Sequence, residues 1–137
     1  MKKTHKEFLL LLGRVCLVLV LLVSAVPKLR FPGGTAQYMA GLGMPGASEA
    51  LAYLAGAFEF AAGLAVLVGW KTRWAAVAIV VYLLPITWYT HLSLVWAAAD
   101  PVVRDQETYQ SLKNLSLMGG LLLLAAMGPG SYSMDRK

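Results

Sequence analysis

Few residues of this sequence can do chemistry inside a hydrocarbon solvent, and their positions carry most of its information. Glu59 lies within "GAFEFAAGLAVLVGW", an apolar run from Gly56 to Trp70, and Arg14 interrupts the apolar run that begins at Phe8. Lys28, His91, Lys113 and Asn114 fall toward the ends of such runs. A charge at bilayer depth costs about 2.5–3.5 kcal/mol on insertion scales, so Glu59 needs a partner or a proton. Ala52, Gly56, Glu59 and Gly63 are spaced by four, three and four and share one helical face. Small residues on that face admit a neighbouring helix, so Glu59 is expected to face protein rather than lipid.

Arg14 is the expected partner. It lies six residues past Phe8, and Glu59 lies ten residues before Gly69. At the helical rise these offsets put the two about 9 Å and about 15 Å from the same end, within reach of an arginine stem. The prediction is a buried Arg14–Glu59 ion pair. Two alternatives stay open: Arg14 snorkels to the headgroups, or Glu59 is a proton carrier, neutral for part of its cycle. At the opposite end Lys28, His91, Lys113 and Asn114 form a second candidate cluster. His91 follows Trp74 by seventeen residues, about 25 Å along a helix. Lys113, Ser116 and Gly120 share a stripe that turns Lys113 toward the bundle. A cationic, hydrogen-bonding mouth suits an anion or a quinone carbonyl; charge solvated by headgroups is the plain alternative.

What is missing limits the chemistry. His5 and His91 are the only histidines and lie at opposite ends, and Cys16 is the only cysteine. Neither a bis-histidine haem nor an iron–sulfur site can be built from them in one chain. No metal site, P-loop or dinucleotide fingerprint is present. No intrinsic cofactor is expected, and a redox role would use a bound quinone or a partner's cofactor.

The elements that position these residues follow from composition. The chain has 137 residues, 58% hydrophobic and 14% charged. Soluble domains average roughly 45–50% apolar, so a bilayer is the better solvent. The net charge of +5 sits in short clusters between apolar runs, which reads as topology signals rather than a nucleic-acid face. One domain, 1–137, is expected, with four membrane helices over about 8–26, 47–69, 74–97 and 112–127. The start has the form of a signal peptide, but Arg14 breaks its apolar core and favours a retained helix. With the N-terminus inside, the inner flanks hold eight basic residues (Lys2, Lys3, Lys6, Arg14, Lys71, Arg73, Arg136, Lys137) and the outer flanks four (Lys28, Arg30, Arg104, Lys113). Both termini are therefore expected in the cytoplasm. Trp70, Trp74 and Trp96 would sit at headgroup level. Pro27 and Pro32 are expected to end the first helix. Thr35 would start a short interfacial helix through Met39 and Ala40. Pro85 should kink the third helix near Val81 to Leu84, and "DPVVRDQETYQSLKN" reads as a polar, mobile loop.

Lys28-Leu29, "GTAQYMAGLGMP", "FEFAAG", "GWKTR" and "LKNLSLMGGLLLLAAMGPGSYSMD" occur in an order that resembles the DoxX family. The resemblance extends from Arg14 to Asp135. It implies an all-α, four-helix integral protein of the bacterial inner membrane. Some relatives are subunits of thiosulfate:quinone oxidoreductase, and others are linked to membrane complexes that handle thiol or oxidative stress. By position, Arg14, Lys28, Glu59, His91, Lys113 and Asn114 are the residues it points to. Three functions stay open: a membrane subunit of a redox complex, with oxidoreductase partner subunits; a structural or assembly protein; or a small transporter that works as a homo-oligomer. The lipid bilayer is the common partner, and nucleic acid is not one.

Overall fold

The computed structural model describes residues 3–135, all of whose regular structure is helical. Lys2, Arg136 and Lys137, which entered the charge count, lie outside the described residues. Helix α1 is Lys3–Arg30, α2 Pro32–Gly41, α3 Glu49–Val68 and α4 Thr72–Thr87. A π-helical turn, Trp88–Leu92, joins α4 to α5, Ser93–Ala97, and α6 is Pro101–Met127. Three stretches are long and apolar enough to cross a membrane: Thr4–Arg30, Glu49–Val68 and Thr72–Ala97. Helix α1 packs chiefly on α3, α4 chiefly on α6, and α3 joins α4. The shared core is Val18, Leu21, Val66, Ala76, Ile79 and Leu121 with their neighbours. Most other large apolar side chains face outward, including Leu19, Val23, Leu54, Val81 and Leu123. A bilayer is the solvent that such a surface requires.

Two expectations are corrected. Pro27 does not end α1, which continues to Arg30. A proline removes its own N–H donor and crowds the carbonyl four residues back, but the turn beyond Pro27 is still closed by Phe31 N–H on the Pro27 carbonyl at 2.8 Å. The stretch read as a mobile loop after Asp100 is the first half of α6, which begins eleven residues before the expected Leu112. Asp100 caps it by accepting from Val102 N–H at 2.9 Å, and Pro101 occupies the first turn, where its missing donor costs nothing. A polar helix has no apolar periodicity to announce it. In α4 the winding stays α-helical through Val81 to Leu84 and Pro85, and gives way to the π turn at Trp88. Thr90 Oγ1 donates to the Ile86 carbonyl at 2.7 Å within that region.

The other boundaries follow ordinary capping. Ser48 accepts from Leu51 N–H at 3.2 Å to start α3, and Gly69, at φ 76°, ends it. The turn "GWKT" leaves α4 with no capping side chain of its own, because Lys71 holds the N-cap position. The chain's tail supplies the cap. Asp135 accepts from Lys71 N–H and Thr72 N–H, each at 2.8 Å, and from the Thr72 hydroxyl at 3.0 Å. Met134 N–H and Asp135 N–H in turn donate to the carbonyls of Val68 and Gly69. The tail is thus a strap across the α3–α4 turn, and Ser131 N–H on Glu7 ties it to the start of α1.

The Thr72 N–H, then the Lys71 N–H, the Thr72 hydroxyl and the Arg14 charge hold the Asp135 carboxyl below the usual carboxylate range, against the upward push of burial. A folded-state pKa below the unfolded one gives stability that is present above about pH 4 and is lost as pH falls through the folded value. Asp135→Asn should therefore lower the melting temperature in detergent at pH 7. The gap to the wild type should narrow below about pH 4, where the wild type also loses its charge. An unchanged gap across that window would remove the carboxylate from the account.

Candidate functional site: a polar cluster at the base of an apolar cavity

Helices α1 and α3 meet at Gly56. A Cβ on Gly56 would stand 2.7 Å from Lys28 Cβ and 3.2 Å from the Ala25 carbonyl oxygen, so only glycine permits the approach. Because α1 is unbroken through Pro27, Ser24 and Lys28 are one turn apart on the same face. Both reach Glu59. Lys28 Nζ donates to both carboxylate oxygens, at 2.6 and 2.7 Å. Ser24 Oγ donates to Oε2 at 2.6 Å, and from α4 the Tyr82 hydroxyl donates to Oε1 at 2.6 Å. Phe58 packs on the Tyr82 ring, centroids 4.9 Å apart, and steadies it. Four hydrogen bonds from three side chains saturate one carboxylate, the arrangement an ionised acid needs in a low-dielectric interior. Glu59 is 3% exposed and Lys28 21%, so the ammonium is the member of the pair that faces open space.

That space is a cavity of about 450 Å³ between α1, α2, α3, α4 and α6, lined mainly by apolar side chains. Lys28, Glu59, His91, Lys113 and Asn114 all line it, as do Ser24 and Tyr82. The residues of the expected outer cluster are thus brought to one cavity, with Glu59 at its base. Their individual settings differ. Asn114 is buried and donates to Thr87 Oγ1 at 3.0 Å. His91 Nδ1 lies 2.7 Å from Glu107 Oε2, so its partner comes from the part of α6 read as loop. Lys113 does not turn into the bundle; it stays exposed at the cavity's mouth. Helix α2 covers the mouth through Thr35, Tyr38 and Met39, and the Tyr38 hydroxyl donates to the Thr90 carbonyl at 3.4 Å. Burial, and then the nearby Glu107 charge, push the Tyr38 hydroxyl above its ordinary pKa, so it remains a donor.

The expected Arg14–Glu59 pair is not formed. Arg14 is fully buried at the opposite end of the bundle, where Nη2 donates to the Tyr132 carbonyl under the tail strap and the guanidinium packs on Gly69. The error came from ending α1 at Pro27, which put Lys28 in a loop and left Arg14 as the sole cation on that helix. Ser24 and Tyr82 were also missed. An unbroken α1 places Ser24 four residues before Lys28, and Tyr82 is the one hydroxyl between Trp74 and Pro85; both signals were present.

The DoxX family model matches residues 9–92, the span that holds Ser24, Lys28, Glu59, Tyr82 and His91. The chain belongs to the DoxX family. Relatives of this DoxX-family chain include two from Escherichia coli (strain K12). Inner membrane protein YphA is 35% identical over 96% of this chain and 91% of its own length. Inner membrane protein YqjF is 34% identical over 92% and 88%. The chain is accordingly a multi-pass protein of the bacterial inner membrane. The SURF4 family model matches residues 52–137, and a Surfeit locus protein 4 homolog of Drosophila melanogaster is 34% identical over 51% of this chain and 26% of that protein. No solved structure matches the chain significantly.

A double-mutant cycle tests the pairing. Lys28→Met alone and Glu59→Gln alone each leave a buried group without its partner, a loss of about 3–5 kcal/mol in comparable pairs, whereas removing both is often nearly neutral. Melting in detergent should show strong coupling between positions 28 and 59 and additivity between 14 and 59. Coupling of Glu59 to Arg14 instead would reverse the assignment.

Proposed function

We propose that this chain is a membrane subunit of a redox complex and that its cavity holds a quinone. The cavity itself supports the reading most strongly. Its walls are apolar, its volume of about 450 Å³ is in the range of small-molecule sites, and at its base the exposed member of the polar cluster is an ammonium donor. A quinone offers the complement, a flat apolar ring with carbonyl acceptors. Partner subunits would supply the other redox centres, since neither Cys16 nor the two histidines can build one. A second reading, a structural or assembly protein, is favoured by one observation: Glu59 is already saturated by Lys28, Ser24 and Tyr82. Such a pair would lock α1, α3 and α4 with or without a ligand.

Purification in gentle detergent followed by organic extraction separates the two. The redox reading expects quinone at near one per chain, reduced in Lys28→Met, His91→Ala and Lys113→Ala and kept in Arg104→Ala, whose side chain bonds the Ala98 carbonyl away from the cavity. A tight protein partner with no quinone in the wild type would favour the structural reading.

The same reading takes α6 as a fourth crossing, α2 as an interfacial helix and both chain ends as cytoplasmic. The bias of eight inner to four outer basic residues supports it. So do the exposed indoles, Trp70 and Trp74 beside the tail strap and Trp96 at the far end. Reporter fusions at Gly43, Lys71, Gln106 and the C-terminus should then read out, in, out and in. A C-terminus that reads out would invert the assignment.

A further inference from the structure

The polar cluster and the tail strap are separated by a band with no polar side chain able to carry a proton or bind a solute. Between Ser24 and Arg14, α1 contributes residues 15–23, which are apolar apart from Cys16, and Cys16 is exposed on the outer surface of the bundle. Helix α3 contributes 60–68, α4 contributes 74–81 and α6 contributes 118–127, and none of these contains a charged, hydroxyl or amide side chain. Val18, Val66, Ile79 and Leu121 fill the centre of the band at 0–1% exposure, with Ala62 among them at 8%. None of the five lines the cavity, whose base is formed by Leu21, Phe58, Glu59, Tyr82 and Leu117. From Glu59 to Gly69 the band is ten residues deep, about 15 Å of helix. The small residues within it do not open a path. A Cβ on Gly120 would stand 2.5 Å from Leu17 Cδ2, and one on Gly63 would stand 3.1 Å from Leu22 Cδ2, so both positions are already filled by neighbours; the third glycine of the band, Gly119, is exposed on the outer surface. Water needs two to four polar partners to occupy a buried site, and this band offers none.

In the other direction polar side chains recur along an otherwise apolar cavity. Above Glu59 and Lys28 the cavity passes Asn114, Thr90 and His91 and reaches exposed Lys113 at the mouth, beneath α2. We infer that the cavity is a cul-de-sac, in which the Lys28–Glu59 pair exchanges protons and ligand only with the membrane face opposite the two chain ends. In the orientation proposed above, that face is the outer one. The chain is then not a conduit: a small acid in a membrane helix often marks a transport path, but here the path stops halfway. The ligand must also arrive and leave through the outer leaflet or the outer aqueous side, so the reaction that supplies or consumes it runs on that side. The inference takes from the proposed function that the cavity holds a ligand and, for naming the face, the orientation; its test uses no quinone.

Cysteine accessibility provides the test. In a Cys16→Ser background, Ser24→Cys and Ala55→Cys place a thiol in the cavity, the second without touching the ion pair, and Val66→Cys places one in the apolar band. A charged, membrane-impermeant methanethiosulfonate is added to right-side-out and to inverted vesicles, and protease cleavage of a C-terminal tag marks the face of the chain ends. Both cavity cysteines should react fully when the reagent is opposite the chain ends and stay at background when it is on their side. Val66→Cys should stay at background from both. Reaction of a cavity cysteine from the side of the chain ends, reaction of Val66→Cys from either side, or no reaction of either cavity cysteine would overturn the inference. Quinone extraction reads a separate property, so each idea can fail alone.

Discussion

A carboxylate held inside an apolar bundle is the constraint that organises this protein. Glu59 sits midway along α3, where an unpaired charge would be costly in lipid or in protein. Its neutralisation recruits three helices. Helix α1 must run past Pro27 to carry Ser24 and Lys28 on one face, and Gly56 must lack a side chain so that Lys28 can lie against α3. Helix α4 must bring Tyr82 to the remaining side. A buried ion pair is weak support for stability by itself, because desolvation offsets much of the attraction. Its stronger effect is on register: a slip of one residue in any of the three helices would leave a donor or the carboxylate unpaired.

The two ends of the molecule solve different problems. At the end of the chain termini, loop backbone has to be satisfied at a tight turn, and the tail does this with Asp135 on α4 and its own N–H groups on the last carbonyls of α3. Arg14 belongs to that lock, not to the cavity. At the other end the helices part, a π turn replaces α-helical winding, and α2 folds over the opening. Single π turns occur often at functional sites, and here the turn contains Thr90 and His91, both on the cavity wall. Apolar side chains alone fill the layer between the ends, so the locked end and the open end are chemically insulated from each other.

Much of this was legible in the sequence, and the losses have physical causes. Of the four runs that apolar length marked as membrane helices, three coincide with stretches long and apolar enough to cross, and the spacing of Ala52, Gly56, Glu59 and Gly63 identified a face that the structure buries. The gathering of Lys28, His91, Lys113 and Asn114 was visible because ends of antiparallel helices must meet. The partner of Glu59 was misread because proline was treated as a stop, although it removes one donor and can be carried near a helix end. The first half of α6 was misread because polar helices carry no hydrophobic period. The strap was not seen because its bonds join Thr72 to Asp135 and Arg14 to Tyr132 across the chain, and no local pattern encodes such contacts.

The central claim is that Glu59 is an ionised carboxylate held by Lys28. Solid-state NMR on protein in lipid bilayers, with ¹⁵N in the lysine side chains and ¹³C in the glutamate carboxyls, tests it without perturbing the pair. The account predicts a direct dipolar contact from Lys28 Nζ to the Glu59 carboxyl carbon, with a carboxylate rather than a carboxylic-acid chemical shift at neutral pH, and loss of that contact in Lys28→Met. A protonated Glu59, or a carboxylate in contact with the Arg14 guanidinium instead of Lys28, would contradict it.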